Sequence, residues 1–120
     1  MQKGFYKMDC LFCKIIDGEI PSKKVYEDDM IYAFYDIEPQ APQHVIIVPK
    51  EHIKSANEIT AENAKYIAAI WEKVPVIAKQ LGIDEDGYRV VNNCGVDGGQ
   101  TVGHIHFHLM GGRKFEWPAG

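Results

Sequence analysis

The sequence predicts an α+β domain in which an antiparallel sheet carries one long helix on one face. Short runs rich in β-branched and aromatic residues follow one another with short links, as in antiparallel strands. One longer stretch repeats apolar residues at spacings of three and four, which is the pattern of an amphipathic helix. Together these two patterns give the order strand, strand, strand, helix, strand, strand.

The predicted strands take up most of the apolar residues outside the helix. Residues 25–27 and 30–36 form a hairpin around a turn at Asp28 and Asp29. Residues 44–48 are almost wholly apolar and end at Pro49, as expected for a buried strand. Residues 88–93 and 104–109 supply the last two strands.

Residues 60–81 form the predicted helix. Its apolar stripe, which we expect to face the core, consists of Ala64, Ile67, Ala68, Trp71, Val74, Ala78 and Leu81. Thr60 is suited to cap its start and Gly82 its end. Pro75 removes one intrahelical hydrogen bond, so we expect the helix to be bent or split there.

Charge and cysteine content restrict the class of protein. The chain of 120 residues carries 13 Lys and Arg against 17 Asp and Glu, a net charge of −4 with no basic block, which argues against nucleic-acid binding. No run of about 20 apolar residues predicts a membrane span. Three cysteines, two of them close together, fit a reducing compartment better than a disulfide framework, so we expect a cytoplasmic protein.

Three histidines alternate with apolar residues near the end of the chain. On a strand, His104, His106 and His108 would share one face. Up to three positive charges would then meet near neutral pH, which requires an anion or a metal as partner. With a phosphoryl group as the anion, the middle histidine, His106, is best placed as nucleophile while its protonated neighbours neutralise oxygens.

A glycine-rich loop leads into this strand. Gly95, Gly98 and Gly99 would let backbone N–H groups approach a phosphate closely. Asn93 and Gln100, at the ends of the loop, would orient a leaving atom or a phosphoryl oxygen. The loop and the histidines together therefore predict a phosphate site.

Two arrangements would hold a metal ion. Three histidines can bind a catalytic zinc, although evenly spaced residues on one strand converge poorly on one ion. Cys10 and Cys13 have the two-residue gap of a zinc knuckle and need two further ligands, for which His52 and one member of the histidine strand are available. The spacing alone leaves open whether this second site exists.

The run from His104 to Met110 resembles the signature of the histidine triad (HIT) superfamily of nucleotide hydrolases and transferases, and the similarity extends from Cys10 to Gly120. The segments that resemble the Hint branch are Lys14-Ile15-Ile16, Glu19-Ile20-Pro21, Glu27-Asp28-Asp29, Ala33-Phe34, Asp36-Ile37, Pro39-Gln40-Ala41-Pro42, Pro49-Lys50, Asp97-Gly98-Gly99-Gln100, Gly111-Gly112-Arg113 and Trp117-Pro118, together with Phe12, His44 and His52. This resemblance implies a single HIT domain over residues 1–120. It also implies a five-stranded antiparallel sheet with one long helix and a short N-terminal helix, joined to a second copy in a homodimer.

The resemblance further implies hydrolysis of purine nucleoside phosphoramidates, such as AMP joined to an amine. His106 would attack the α-phosphorus, His108 and His44 would contact the phosphate, and the main-chain carbonyl of His104 would fix the tautomer of His106. Asp36 would hold the ribose, and Asn93 would join the catalytic group. The purine would be walled by Leu11, Phe12, Ile15, Phe34 and Ile37. The phosphate and leaving-group side would be lined by Asn93, Gly99, Gln100 and Thr101.

Some bacterial-type members carry the same Cys-x-x-Cys, which implies a structural zinc ion held by Cys10, Cys13, His52 and His104. Two other functions fit the same residues. One is cleavage of dinucleoside polyphosphates or nucleotidyl transfer within the superfamily. The other is a nucleotide-binding or scaffolding protein with weak catalysis.

Overall fold

Five strands form one antiparallel sheet in the computed structural model, which describes Lys7 and residues 9–120. The strands are β1 (Lys24–Glu27), β2 (Ile31–Tyr35), β3 (Gln43–Pro49), β4 (Tyr88–Val91) and β5 (Phe107–Gly111). Their order across the sheet is β1-β2-β3-β5-β4, so β3 lies at the centre and β4 at one edge. Two α-helices, α1 (Leu11–Ile16) and α2 (Ala64–Leu81), and a 3-10 helix (Ala56–Glu58) complete the fold. The predicted α+β architecture is confirmed.

The sheet separates two cores because successive side chains point to opposite faces. One core lies between the sheet and α2, and its strand residues include Ile31, Ala33, Val45, Ile47 and Leu109. The other lies between the sheet and α1, and it contains Phe12, Cys13, Ile15, Tyr32, Phe34, Ile46 and Val48. His44 has the same parity as Ile46 on β3, and His108 on β5 is paired with Ile46. Both histidines therefore belong to the α1 face.

Helix α2 begins and packs somewhat differently from the prediction. It starts at Ala64, after a turn in which Thr60 and Asn63 exchange hydrogen bonds. Its buried side chains are Ile70, Val74, Ile77 and Ala78. The prediction that Ala68 and Trp71 face the core is wrong: Ala68 is exposed and Trp71 is 49% exposed, with its ring in edge-to-face contact with that of Phe107.

The predictions for Gly82 and Pro75 in α2 have different outcomes. Gly82 ends the helix in the left-handed conformation, with φ of 76°, as its position predicts. Pro75 lies inside one continuous helix, so the helix is not split there. In the described residues, no helix combines the length and apolar content that crossing a membrane requires.

The histidine segment is only partly a strand, which corrects the prediction for residues 104–109. β5 begins at Phe107, so His104 and His106 precede it. The backbone leaves β3 at this point because the Ile105 N–H donates to the Ile53 carbonyl, 2.6 Å away, beyond the end of β3. The alternation of burial survives, with Ile105, Phe107 and Leu109 all in the α2 core.

Candidate active site and metal cluster

His106 is a buried imidazole whose hydrogen bonding leaves one nitrogen available for attack. Its Nδ1 lies 2.8 Å from the carbonyl oxygen of His104. A carbonyl only accepts, so Nδ1 carries the proton and Nε2 of the neutral ring keeps its lone pair. The Phe12 ring makes an edge-to-face contact with the imidazole, with 5.0 Å between centroids. This is the tautomer that a nucleophilic histidine requires.

His44 and His108 form a second arrangement that is also fixed by the backbone. The Gln40 N–H donates to Nδ1 of His44 at 3.0 Å, so a neutral His44 carries its proton on Nε2. That Nε2 lies 2.9 Å from Nδ1 of His108 and 3.3 Å from Oδ2 of Asp36. When His44 donates to His108, the proton of His108 resides on Nε2, where it can be offered to an anion. We call Asp36, His44 and His108 the Asp/His cluster.

Burial keeps these imidazoles uncharged. It lowers the pKa of His44 and His106, in each case against the opposing charge of Asp36. It lowers the pKa of His108 to about 4, with the neighbouring His106 and His44 acting in the same direction. Burial also lowers the pKa of His104 to about 4. The prediction of up to three positive charges on His104, His106 and His108 near neutral pH is therefore wrong, because desolvation disfavours the charged rings.

Cys10, Cys13, His52 and His104 meet on the same face of the sheet, and we call them the Cys/His cluster. Nδ1 of His104 lies 3.3 Å from Sγ of Cys10 and 3.6 Å from Sγ of Cys13. Nδ1 of His52 lies 3.5 Å from Sγ of Cys13. All four ligand atoms lie within 4.8 Å of one another, so this cluster could hold a metal ion.

The geometry of the Cys/His cluster fits a tetrahedral ion. Zinc bonds of ordinary length place neighbouring sulfur and nitrogen ligands about 3.6 Å apart. Nε2 of His104 donates to the Pro49 carbonyl at 2.9 Å, which leaves Nδ1 as the lone-pair nitrogen facing the sulfurs. Burial raises the pKa of the Cys13 thiol to about 11, and a bound divalent cation would reverse this by favouring the thiolate.

The Asp/His cluster is also compact enough for a cation, but its hydrogen bonding opposes one. Nδ1 of His44 is already an acceptor, so a metal on Nε2 would require an imidazolate. The donor set therefore fits a hydrogen-bonding role better than a metal site.

A cavity of about 700 Å³ opens on the α1 face of the sheet. Among its lining residues are Ile15, Phe34, Asp36 and Ile37, four of those that the resemblance assigns to the nucleotide. Sequence reasoning missed the rest of the wall, which consists of Pro21, Ser22, Lys23 and Tyr35. Helix α1 supplies two more predicted residues outside the lining: Leu11, which is 43% exposed, and Phe12, which is buried against His106.

The loop before the histidines is held by its own hydrogen bonds. Oε1 of Gln100 accepts from the Gly95 N–H, and its Nε2 donates to the carbonyls of Lys54 and Val102. The Gly99 and Gln100 N–H groups bond within the loop. These three N–H groups, of Gly95, Gly99 and Gln100, are therefore committed to the turn, which counts against a phosphate nest built from them.

Two asparagines, Asn92 and Asn93, directly follow β4, next to this loop. The side chain of Asn92 donates to the His106 carbonyl at 2.9 Å, a contact that sequence reasoning missed because it favoured Asn93. Asn93 is half-buried one residue further on, and Thr101 is exposed at the other end of the loop. Asn92 thus helps to fix the backbone of the residue that carries the free Nε2.

Comparisons with known proteins agree with this fold. The HIT domain family model matches residues 17–115. The purine nucleoside phosphoramidase of Escherichia coli K12 is 48% identical over 105 residues, covering 88% of each chain. A HIT family hydrolase from Legionella pneumophila Philadelphia 1 superimposes with a TM-score of 0.91 at 48% identity, covering 93% of this chain and 100% of that one.

A histidine triad protein from Clostridium difficile has a TM-score of 0.89 at 49% identity, covering 92% of this chain and 96% of that one. The family match spans most of the sequence, and the relatives are similar along nearly their whole length. The chain therefore belongs to the HIT domain family and is a hydrolase of that family.

Proposed function

We propose that the protein hydrolyses the P–N bond of purine nucleoside phosphoramidates through a nucleotidyl-His106 intermediate. The observation that carries this proposal is the 2.8 Å bond from Nδ1 of His106 to the His104 carbonyl, which leaves Nε2 of this ring unprotonated. The similarity to the Escherichia coli phosphoramidase supports the choice of substrate class.

The reaction has two displacements at phosphorus. Nε2 of His106 attacks the α-phosphorus, the bond from phosphorus to the amine breaks, and the amine nitrogen takes up a proton from solvent. Water then attacks the same phosphorus and gives up a proton to solvent, the bond to Nε2 breaks, and the nucleoside monophosphate is released. The carbonyl of His104 stabilises the ring in both steps because it accepts from Nδ1–H as positive charge develops.

The phosphate contacts come from neutral donors rather than from cations. His108 offers Nε2–H to a phosphoryl oxygen, and His44 keeps His108 in that tautomer. Asn93, Gly99, Gln100 and Thr101 line the phosphate and leaving-group side. The side chain of Gln100 acts mainly by holding the loop, because its amide already makes three hydrogen bonds.

The cavity on the α1 face accommodates the purine nucleoside. Ile15, Phe34 and Ile37 supply apolar contacts to the base, with Leu11 and Phe12 beside them. Asp36 holds the ribose hydroxyls through its carboxylate, one oxygen of which already accepts from the Glu38 N–H. A cavity of about 700 Å³ is within the range of small-molecule sites.

We propose that the Cys/His cluster binds a structural zinc ion. Bound zinc would tie the start of α1 to the segment that carries His104 and His106, adding its binding free energy to folding. The ligand distances and the bond from His104 to Pro49 support this assignment.

We also propose that residues 1–120 act as one HIT domain within a homodimer in the cytoplasm. The edge position of β4 supports the dimer, because an edge strand can pair with a second copy. Trp71 and Val76 on α2, each 49% exposed, offer apolar area for such a contact. Sedimentation velocity of the purified protein is the direct check.

Turnover of an adenosine phosphoramidate, a dinucleoside polyphosphate and a nucleotide sugar tests the activity. We expect the phosphoramidate to be the preferred substrate and His106→Gly to lose at least about 10³-fold in kcat. His106→Asn is the matched variant, since it keeps an N–H for the His104 carbonyl but has no nucleophile. Acid-labile labelling of the wild-type protein by radioactive nucleotide, absent in both variants, would identify the covalent intermediate.

Three results would contradict the proposal in different ways. Preferred turnover of the dinucleotide or the nucleotide sugar would favour the other superfamily reactions. Tight nucleotide binding with negligible turnover of all three substrates would favour a binding or scaffolding protein. Equal rates in the wild type and His106→Gly would remove His106 as nucleophile.

A further inference from the structure

We propose that Arg113 is a positioning residue that holds Gln40 in place, so that the Gln40 N–H fixes the tautomers of His44 and His108. Its effect on rate rests on the proposed function, whereas its effect on the tautomers does not. Arg113 lies after β5, in a segment that neither the sequence analysis nor the mechanism assigns to the site.

The guanidinium of Arg113 grips one backbone carbonyl at two points. Its Nε lies 3.1 Å and its Nη2 3.0 Å from the Gln40 oxygen, so both N–H groups donate to the same acceptor. Nη1 donates to the Lys114 carbonyl at 3.2 Å. The guanidinium also lies over the Phe115 ring, 4.2 Å from its centroid, which fixes its plane.

The backbone around Arg113 is shaped to approach the Gln40 loop. Gly111 is paired with Gln43 at the end of β5. Gly112 follows with φ of 93°, and a Cβ at that residue would lie 2.8 Å from Cβ of Pro42. Only glycine permits both this conformation and this contact, so the chain passes directly against the loop before Arg113 reaches Gln40.

The loop that Arg113 holds contains the donor on which the Asp/His cluster depends. The Gln40 N–H is 3.0 Å from Nδ1 of His44, and Nε2 of His44 is 2.9 Å from Nδ1 of His108. If Gln40 moves away, Nδ1 of His44 loses its donor and the proton can reside on either nitrogen. His108 then no longer has a fixed proton on Nε2 to offer the phosphate.

Arg89 provides a matched control on the same aromatic ring. Its guanidinium also lies over Phe115, at 5.1 Å, and its Nη2 donates to a backbone carbonyl, that of Glu116, at 3.0 Å. This bond goes to the C-terminal segment and not to the Gln40 loop. Loss of Arg89 therefore removes a comparable stacking and hydrogen-bonding arginine without touching Gln40.

The experiment compares Arg113→Met, Arg113→Lys and Arg89→Met by nitrogen-15 NMR of the histidine rings and by steady-state kinetics. We expect wild type and Arg89→Met to show His44 and His108 as single Nε2–H tautomers. Arg113→Met should show mixed tautomers and a kcat lower by about tenfold with KM changed by less than about threefold. Arg113→Lys keeps the positive charge but cannot donate two hydrogen bonds to the Gln40 carbonyl in the same way. Its tautomer mixture and its kcat should lie between those of wild type and Arg113→Met.

A folded Arg113→Met protein with wild-type ring tautomers would overturn the proposal, whatever its activity. Equal tautomer mixing in Arg89→Met and Arg113→Met would also overturn it, because the effect would then come from loss of an arginine stacked on the Phe115 ring and not from the bonds to Gln40. If Arg113→Met does not fold, Arg113→Lys is compared with wild type instead. Unchanged tautomers of His44 and His108 in Arg113→Lys would then contradict the proposal that the two hydrogen bonds from Arg113 to Gln40 fix them. Absence of phosphoramidate turnover in the wild type would reject the proposed function but leave the tautomer result valid.

Discussion

The Cys/His cluster and the Asp/His cluster lie on the same face of the sheet and are built from similar side chains, but the backbone presents opposite groups to them. In the Cys/His cluster, the Pro49 carbonyl accepts from Nε2 of His104, so Nδ1 is left as a lone pair toward the sulfurs. In the Asp/His cluster, the Gln40 N–H donates to Nδ1 of His44, so Nε2 keeps its proton. A backbone acceptor at one ring nitrogen thus leaves the other nitrogen of His104 free to bind a metal. A backbone donor at one ring nitrogen instead leaves the other nitrogen of His44 protonated, as a hydrogen-bond donor.

His106 shows that the same logic applies between the two clusters. The carbonyl that takes its Nδ1 proton belongs to His104, whose own ring is part of the Cys/His cluster. Displacement of the His104 backbone would therefore affect both the proposed metal site and the proposed nucleophile. The Asp/His cluster is separate from this coupling because its donor comes from the Gln40 loop.

Breaking the Cys/His cluster should have the largest effect. We expect Cys13→Ser to lose bound zinc and at least about 3 kcal/mol of the free energy of unfolding, because metal binding adds directly to folding. Elemental analysis and urea denaturation of both proteins are the measurements. Cys94→Ser is the matched control, since Cys94 lies outside the cluster, and it should keep its metal. Wild-type stability and metal content in Cys13→Ser would contradict the assignment.

Breaking the Asp/His cluster should reduce activity while leaving the metal in place. His44→Ala removes the acceptor of the Gln40 N–H and the donor to His108, so we expect kcat/KM to fall by about 10²-fold. Gln40 is exposed, so water can replace the lost acceptor of its N–H, and this bond alone should contribute little to any loss of stability. His52→Ala is the reciprocal variant and should lose metal with the His44 tautomer unchanged. Loss of metal in His44→Ala would show that the two clusters are not separate.

Acidification should destabilise the folded protein through the buried histidines. The pKa of His108 is about 4 in the folded protein and 6.5 in an exposed chain, so between these values the unfolded state binds more protons. The free energy of unfolding should therefore fall as pH falls from about 6.5 toward 4. Urea titrations of wild type and His108→Asn across this range isolate the contribution of His108, and the variant should show the shallower dependence. Identical pH dependences would mean that His108 is not buried as a neutral ring.

Side-chain patterns predicted most of the fold, because periodicity records which face of an element is buried. The hairpin, the central strand and the long helix follow from it, and Gly82 ends the helix as expected. Trp71 was placed in the core because the apolar stripe alone does not distinguish the middle of a helix face from its margin. The alternating pattern predicts all three histidines in one strand, but a strand also needs a partner, and before Phe107 the backbone N–H of Ile105 bonds to Ile53 instead of to β3.

The side chains of the candidate site and the contact of the His104 carbonyl with His106 were predictable from the resemblance, but the backbone partners of His44 and His104 were not. Resemblance supplied the four members of the Cys/His cluster, which the structure brings together. The groups that distinguish one histidine from another are the backbone atoms of Pro49, Gln40 and His104. Every residue carries such atoms, so no sequence pattern marks them, and Asn92 and Arg113 act on the same backbone.

Nitrogen-15 NMR of the histidine rings in the wild-type protein at neutral pH tests most directly whether the backbone sets these roles. The bonds to Gln40, Pro49 and His104 predict protons on Nε2 of His44, His104 and His108 and on Nδ1 of His106. A proton on Nε2 of His106, or on Nδ1 of His44, would contradict that assignment of tautomers and with it the proposed nucleophile or phosphate donor.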